Sequence, residues 1–124
     1  MPKVFTSKSQ KKGELGEELA CMFLVKHDFV IIERNYTRRL GEIDIIATKG
    51  GKMYFIEVKS MSFNSSIRAE ENMNEFKLKK LYRTIELYMQ EKNLTDIDWQ
   101  LDLVCVLLDE INKKAKVKII ENIV

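Results

Sequence analysis

The sequence predicts an α/β domain built in the order helix, three strands, helix, two strands. Three observations carry this reading. Gly50-Gly51 divides two strand-like runs in GEIDIIATKGGKMYFIEVKS, residues 41–60, and supplies the positive φ angles that a tight hairpin turn demands. Helical periodicity appears both before and after that hairpin. Two further apolar, β-branched runs then close the chain.

Residues 1–9 are polar and without a hydrophobic period, which predicts a flexible basic arm ahead of one domain spanning 10–124. The first helix is expected from Ser9 to Lys26, with Leu15, Leu19, Met22 and Phe23 at i, i+4, i+7 and i+8 as its apolar stripe. Glu18 borders that stripe, and Glu17 lies on the far side with Cys21 and Leu24, so the period favours Glu18 as the inward acid. His27, the single histidine, sits at the helix end, where a positive side chain suits the dipole. Phe29–Tyr36, reading FVIIERNY, is the first expected strand, and TRRLG turns into the hairpin.

With Gly50 and Gly51 as the turn, position i on one strand faces position 101 − i on the other, so Asp44 lies opposite Glu57. Alternation puts Glu42, Asp44, Ile46, Phe55, Glu57 and Lys59 on one face, and Ile43, Ile45, Tyr54, Ile56 and Val58 on the other. The second face is an ordinary core face. On the first, facing carboxylates repel unless something positive separates them, and a divalent cation meets that need. By pattern alone, a solvated charged face is an equal reading.

After Lys59 the polar segment SMSFNSSIRAEEN reads as a long loop. A second helix is expected from Met73 to Lys92, with Leu78, Leu81, Ile85, Tyr88 and Met89 on one face and Lys77, Lys80 and Thr84 in an adjoining row. Trp99–Leu108 has the unbroken apolar character of a strand buried on both sides, and Val117–Ile123 follows a turn at Asn112-Lys113. Asp102, embedded among leucines and valines, needs hydrogen-bond partners, and a structural role is favoured for it.

The 124 residues suit one domain with a real core. Cys21 and Cys105 lack metal-ligand spacing and read as reduced core residues of a cytoplasmic protein. No apolar run reaches a membrane span, and the first residues lack the apolar stretch of a signal peptide. A net charge of +2 is too mild to imply nucleic acid by itself. The cations are nonetheless clustered: Lys3, Lys8, Lys11 and Lys12; Arg34, Arg38 and Arg39; Lys77, Lys79, Lys80 and Arg83. Taken alone, any of these clusters reads as solvated surface.

The element order, with an acid on the first helix, Asp44 on one strand and Glu57-Val58-Lys59 on the next, resembles the restriction-endonuclease-like superfamily, whose signature is written PD-(D/E)xK. More narrowly, Gly13-x-x-Gly16-Glu17-x-x-Ala20, Arg34-Asn35, Gly41-Glu42-Ile43-Asp44-Ile45-Ile46, Phe55-Ile56-Glu57-Val58-Lys59, Lys77 and Leu101-Asp102-Leu103 resemble the YraN-like family of small bacterial proteins, which are described as similar to archaeal Holliday junction resolvases. The resemblance covers nearly all of the chain after the arm. It implies a restriction-endonuclease-like mixed sheet of about five strands flanked by helices, and it moves the helix acid from Glu18 to Glu17. The chain departs from the family pattern at Met61, where an arginine is frequent, at Gln100, where another is common, and in having no glycine after Gly51.

The activity this implies is Mg²⁺-dependent hydrolysis of DNA phosphodiesters, with Mn²⁺ as a substitute and no small-molecule cofactor. Glu17, Asp44, Glu57 and Lys59 are the expected catalytic set. Asp44, Glu57, the Val58 carbonyl and Glu17, the last directly or through water, are the expected metal ligands, and Lys59 orients the attacking water. Lys77, Lys11, Lys12, Arg38, Arg39 and Lys80 are expected phosphate contacts. No aromatic stacking platform or recognition helix is visible, so DNA shape, such as a branch or flap, is the expected determinant of specificity. Symmetric cutting of two strands would call for a twofold homodimer. The alternative is a DNA-binding or scaffold protein that keeps the fold without turnover.

Overall fold

A computed structural model describes residues 8–63 and 73–123. Its elements run α1 (Lys8–Lys26), β1 (Val30–Arg38), β2 (Gly41–Lys49), β3 (Lys52–Ser62), α2 (Glu75–Glu91), β4 (Trp99–Asp109) and β5 (Lys114–Ile120). This is the expected αβββαββ order. Residues 1–7 of the anticipated arm lie outside the described residues, whereas Lys8 and Ser9 already belong to α1.

The five strands form one sheet in the order β1-β2-β3-β4-β5. All neighbours are antiparallel except β3 and β4, which pair in parallel from Met53↔Trp99 to Ser62↔Leu108. A parallel pair needs a crossover, and α2 provides it. The hairpin register is the one that its turn dictates: Lys49↔Lys52, Thr48↔Met53 and Ile45↔Ile56 all sum to 101, with Gly50 at φ 58° and Gly51 at φ 77°.

Each helix covers one side of the sheet. On the α2 side Leu81, Ile85, Tyr88 and Met89 pack with Tyr36, Ile43, Ile46, Phe55 and Leu101. The Tyr88 ring meets Tyr36 and Phe55 edge-on, at centroid distances of 5.1 and 5.6 Å. On the α1 side Ala20, Cys21 and Leu24 pack with Ile45, Ala47, Ile56, Val104 and Val106. Both faces of the hairpin carry core residues, but strict alternation fails at its open end: Ile43, expected on the face of Ile45 and Ile56, packs with Ile46 and Phe55 on the α2 side.

Three expectations need correction. The apolar stripe of α1 points elsewhere: Leu15 is 50% and Met22 65% exposed, whereas Ala20 and Leu24 are fully buried. A Cβ built on Gly16 would stand 1.6 Å from Ser60 Oγ. Small residues let α1 lie close against β3, and a reading based on hydrophobic period gives small residues little weight. Secondly, β3 continues to Ser62 because β4 extends alongside it, so the segment after Lys59 begins as strand, and residues 64–72 lie outside the described residues. Thirdly, β5 begins at Lys114 and ends at Ile120, three residues ahead of the expected Val117–Ile123 at both ends. Asp109 accepts from the Asn112 amide nitrogens and fixes that earlier turn.

Cys21 and Cys105 are buried and not joined in a disulfide. Asp102, 2% exposed, accepts from Gln100 Nε2 at 2.7 Å and from the Asn122 backbone N–H at 2.9 Å. The partners that a buried aspartate needs are thus present, with Gln100 as the side-chain donor. Among the described residues no helix is long and apolar enough to cross a membrane.

Candidate active site

The site begins where β2 and β3 stop pairing. Their ladder runs from Lys49↔Lys52 to Ile45↔Ile56, and Asp44 and Glu57 come one step beyond. There the Asp44 carboxylate replaces a backbone acceptor: its Oδ2 takes the Val58 N–H at 2.7 Å. On a strand the N–H and C=O of one residue face the same edge, so the Val58 carbonyl also points toward β2. The β3 edge that β2 leaves thus presents a carbonyl beside Asp44.

Asp44 and Glu57 are also hydrogen-bonded to each other and mostly buried. Burial raises the pKa of Asp44, while the Val58 N–H, the bond to Glu57 and the charge of Lys59 oppose the rise. Glu57 is pushed from 4.5 up to about 8, first by burial and then by the charge of Asp44 and the hydrogen bond to it, with Lys59 and Lys77 pulling the other way. With Glu57 raised to about 8, the pair holds one proton between its two carboxylates near neutral pH when no cation is bound.

A cavity of about 190 Å³ opens beside Glu57 on the α2 side, lined by Glu42, Glu57, Lys59, Lys77 and Lys80 among others, and Asp44 adjoins it through its bond to Glu57. Asn74 caps α2 by accepting the Lys77 N–H at 2.9 Å, which sets the first turn of the helix beside the cavity. Gly41 admits α2 closely, since a Cβ there would lie 3.0 Å from Thr84 Oγ1. Asp44, Glu57, Lys59, Lys77 and Lys80 are therefore brought together. Glu42 joins them, a residue named in the face reading but not in the expected site. Its even position within GEIDII was the signal.

The remaining expected residues fall elsewhere. Glu17 has only 18% of its side chain exposed against 54% for Glu18, so the inward acid is the one the family resemblance selected. Its carboxylate stands 3.9 Å from Arg34, whose other nitrogen pairs with Glu18. Arg34 lies opposite Ile45, which packs in the α1 core, so Glu17 and Arg34 belong to the α1 side of the sheet. Among the described residues no three His, Cys, Asp or Glu side chains gather closely enough to hold a metal. Arg38 forms a two-pronged bond with Glu91, at 3.1 and 3.0 Å, and lies over the Tyr36 ring. Arg39 is exposed beside the β1–β2 turn. Lys11 and Lys12 border a separate groove of about 580 Å³ with Leu15, Leu108 and Lys114, and Lys12 donates to Ser62 at 2.7 Å.

Residues 16–106 match the family model described as "Uncharacterised protein family UPF0102". The chain belongs to the UPF0102 family. A UPF0102 protein of Campylobacter jejuni subsp. doylei is 42% identical over 104 residues, covering 84% of this chain and 90% of its own length. A UPF0102 protein of Aliarcobacter butzleri is 40% identical over 116 residues, or 93% and 97% of the two chains. One from Campylobacter concisus is 44% identical over 112 residues, covering 90% of this chain and 91% of the relative. UPF0102 is the YraN family, so the resemblance carried by GEIDII and FIEVK holds at the level of the family, and its matched span includes every residue from Gly16 to Val106 that builds the site.

Proposed function

We propose that this UPF0102 protein is a metal-dependent endonuclease acting on DNA phosphodiesters, with branched or flapped DNA as its substrate. The observation that carries the reading is the half-buried, hydrogen-bonded Asp44–Glu57 pair beside Lys59, Lys77 and Lys80. A structural ion pair would put a cation against each carboxylate, and a solvated face would not bury them. The arrangement instead gathers acids where an anionic phosphodiester could approach over lysines.

The donor set suits a divalent cation. Asp44 and Glu57 share a proton in a place where a cation could replace it, and the β2-facing carbonyl of Val58 adds a third oxygen. Asp44, Glu57 and Val58 would hold Mg²⁺ or Mn²⁺, with Glu17 contributing through water from the α1 side. Bound there, the ion supplies Lewis-acid polarisation of the phosphoryl group and a lowered pKa for water. Lys59 holds the attacking water in line and offsets the charge that develops on the phosphoryl oxygens. Lys77 and Lys80, at the start of α2, receive the flanking phosphates and give affinity without reading sequence. A twofold pair of chains would place two such sites for symmetric cutting.

The test is cleavage of branched, flapped and linear DNA in Mg²⁺ or Mn²⁺ by the wild type, Asp44→Ala and Lys59→Ala. Wild type should cut at least one branched substrate and both variants should lose activity by at least two orders of magnitude. Equal inertness of all three on every substrate, with DNA binding retained, would replace this reading with that of a non-catalytic DNA-binding protein.

A further inference from the structure

The strand pairing carries the charge of the site beyond the residues that line its cavity. Lys59 pairs with Cys105 on β4, and Cys105 pairs with Lys118 on β5. Residues paired across a sheet share a face, so Lys59 and Lys118 stand on one row with a single strand between them. By the same register Met61, Leu107 and Lys116 form the next row. The face is that of the cavity: Leu103 and Cys105 pack there with Met61, Met73 and Ile120, and Met73 also lines the cavity.

Lys116 and Lys118 are exposed, and β5 contains no acid from Lys114 to Ile120. The ion pairs found among the described residues do not use either lysine. The alternate residues Val117 and Ile119 turn to the α1 core, so the strand holds Lys116 and Lys118 on the site's side of the sheet.

We infer that Lys118 and Lys116 of β5 form a backbone track for the DNA strand leaving the active site, a contact region separate from Lys77 and Lys80 on α2. It rests on the nuclease reading, and its occupant is the phosphodiester backbone of the strand that passes over Lys59. Two strand spacings separate Lys59 from Lys118, about 10 Å. At roughly 3.4 Å of helix axis per phosphate, the strand that crosses β4 brings the phosphate about three nucleotides from the scissile one over Lys118. Lys116, two residues along β5, lies about 7 Å further and meets the next part of the same backbone. Between Lys59 and Lys118 lies Cys105, buried against Met61 and Met73, so apolar side chains rather than charged ones separate the two lysines. The contact is one of charge and reads no bases.

The experiment is fluorescence anisotropy of labelled branched and linear DNA at several salt concentrations without divalent metal, paired with cleavage assays in Mg²⁺. The proteins are wild type, Lys116→Gln/Lys118→Gln, Lys116→Arg/Lys118→Arg, and a control double variant, Lys26→Gln/Lys49→Gln, at exposed positions outside the site. The glutamine pair on β5 should lower the slope of log affinity against log salt by about 1.4 to 1.8, at about 0.7 to 0.9 for each phosphate no longer neutralised. The arginine pair should restore the slope, and the control pair should leave it unchanged. Melting temperatures of all variants should match the wild type. If wild type binds and cuts DNA but the β5 glutamine pair keeps the wild-type slope, or the control pair lowers it equally, the track is overturned and the nuclease reading stands. If wild type neither binds nor cuts, the nuclease reading falls and the track falls with it.

Discussion

The Asp44 carboxylate takes the Val58 N–H at 2.7 Å, one step past the last pairing of β2 with β3. One side chain thus does two jobs, ending the ladder and presenting an acid to the gap it leaves. Exchanging Asp44 for alanine strands the Val58 N–H, whereas asparagine keeps an acceptor oxygen. By urea denaturation at pH 6, Asp44→Ala should be less stable than Asp44→Asn by about 1–3 kcal/mol. Both should be inactive in Mg²⁺. Equal stability of the two variants would show that the Val58 bond contributes nothing to the fold.

Glu57, raised from 4.5 to about 8, makes the metal-free protein pH-sensitive. Between those values the folded chain keeps a proton that the unfolded chain has lost, so stability falls as pH rises through the window. The raised pKa of Asp44 acts in the same direction. Melting temperature should therefore decline from pH 5 to pH 8.5, and Glu57→Gln should flatten the decline. Added Mg²⁺ should stabilise the wild type more at pH 8.5 than at pH 6, where it must displace the shared proton. A flat profile in the wild type would contradict the sharing of a proton by the pair.

Gly16 and Gly13 offer a controlled comparison on one helix. A Cβ at Gly16 meets Ser60 Oγ at 1.6 Å, and a Cβ at Gly13 meets nothing within 4 Å. Gly13→Ala should stabilise by up to about 1 kcal/mol through helix propensity. Gly16→Ala should destabilise by about 1–3 kcal/mol, since the collision outweighs the same gain. Adding Ser60→Gly should recover much of the loss, a coupling that a double-mutant cycle measures.

Gln100→Leu removes the side-chain donor to Asp102 and leaves that buried carboxylate with one fewer partner. The cost should be about 1–3 kcal/mol of stability. The rate of DNA cleavage per folded molecule should not change. A fall in that rate would move Asp102 from the scaffold into the chemistry.

Much of the fold was legible because its signals are local. Gly50-Gly51 specified the register that sets Asp44 against Glu57, and alternation put Lys59 on their face. The inward acid of α1 was not legible from period, because Gly16 and Ala20 carry the helix contact and have little apolar surface to be counted. Family resemblance found Glu17 where the pattern favoured Glu18. The pairing of Arg38 with Glu91 could not be foreseen either, since it joins β1 to the end of α2 across 53 positions. The lysines of β5 were missed for a similar reason. Their face is defined only once β4 lies parallel to β3, and nothing within KAKVKII says which neighbour it will have.

That parallel pairing should also order the folding of the sheet. The β1, β2 and β3 meander closes over short loops, but β4 joins β3 only after the chain between Ser62 and Trp99 has been drawn across the sheet. Closing so long a stretch costs chain entropy before its contacts reward it, so this pairing is expected to come late. Asp44 and Glu57 can therefore meet while still in water, and the cost of burying them falls on the last docking step. A cation held by the pair should then act mainly by slowing unfolding and should leave the initial collapse at its metal-free speed.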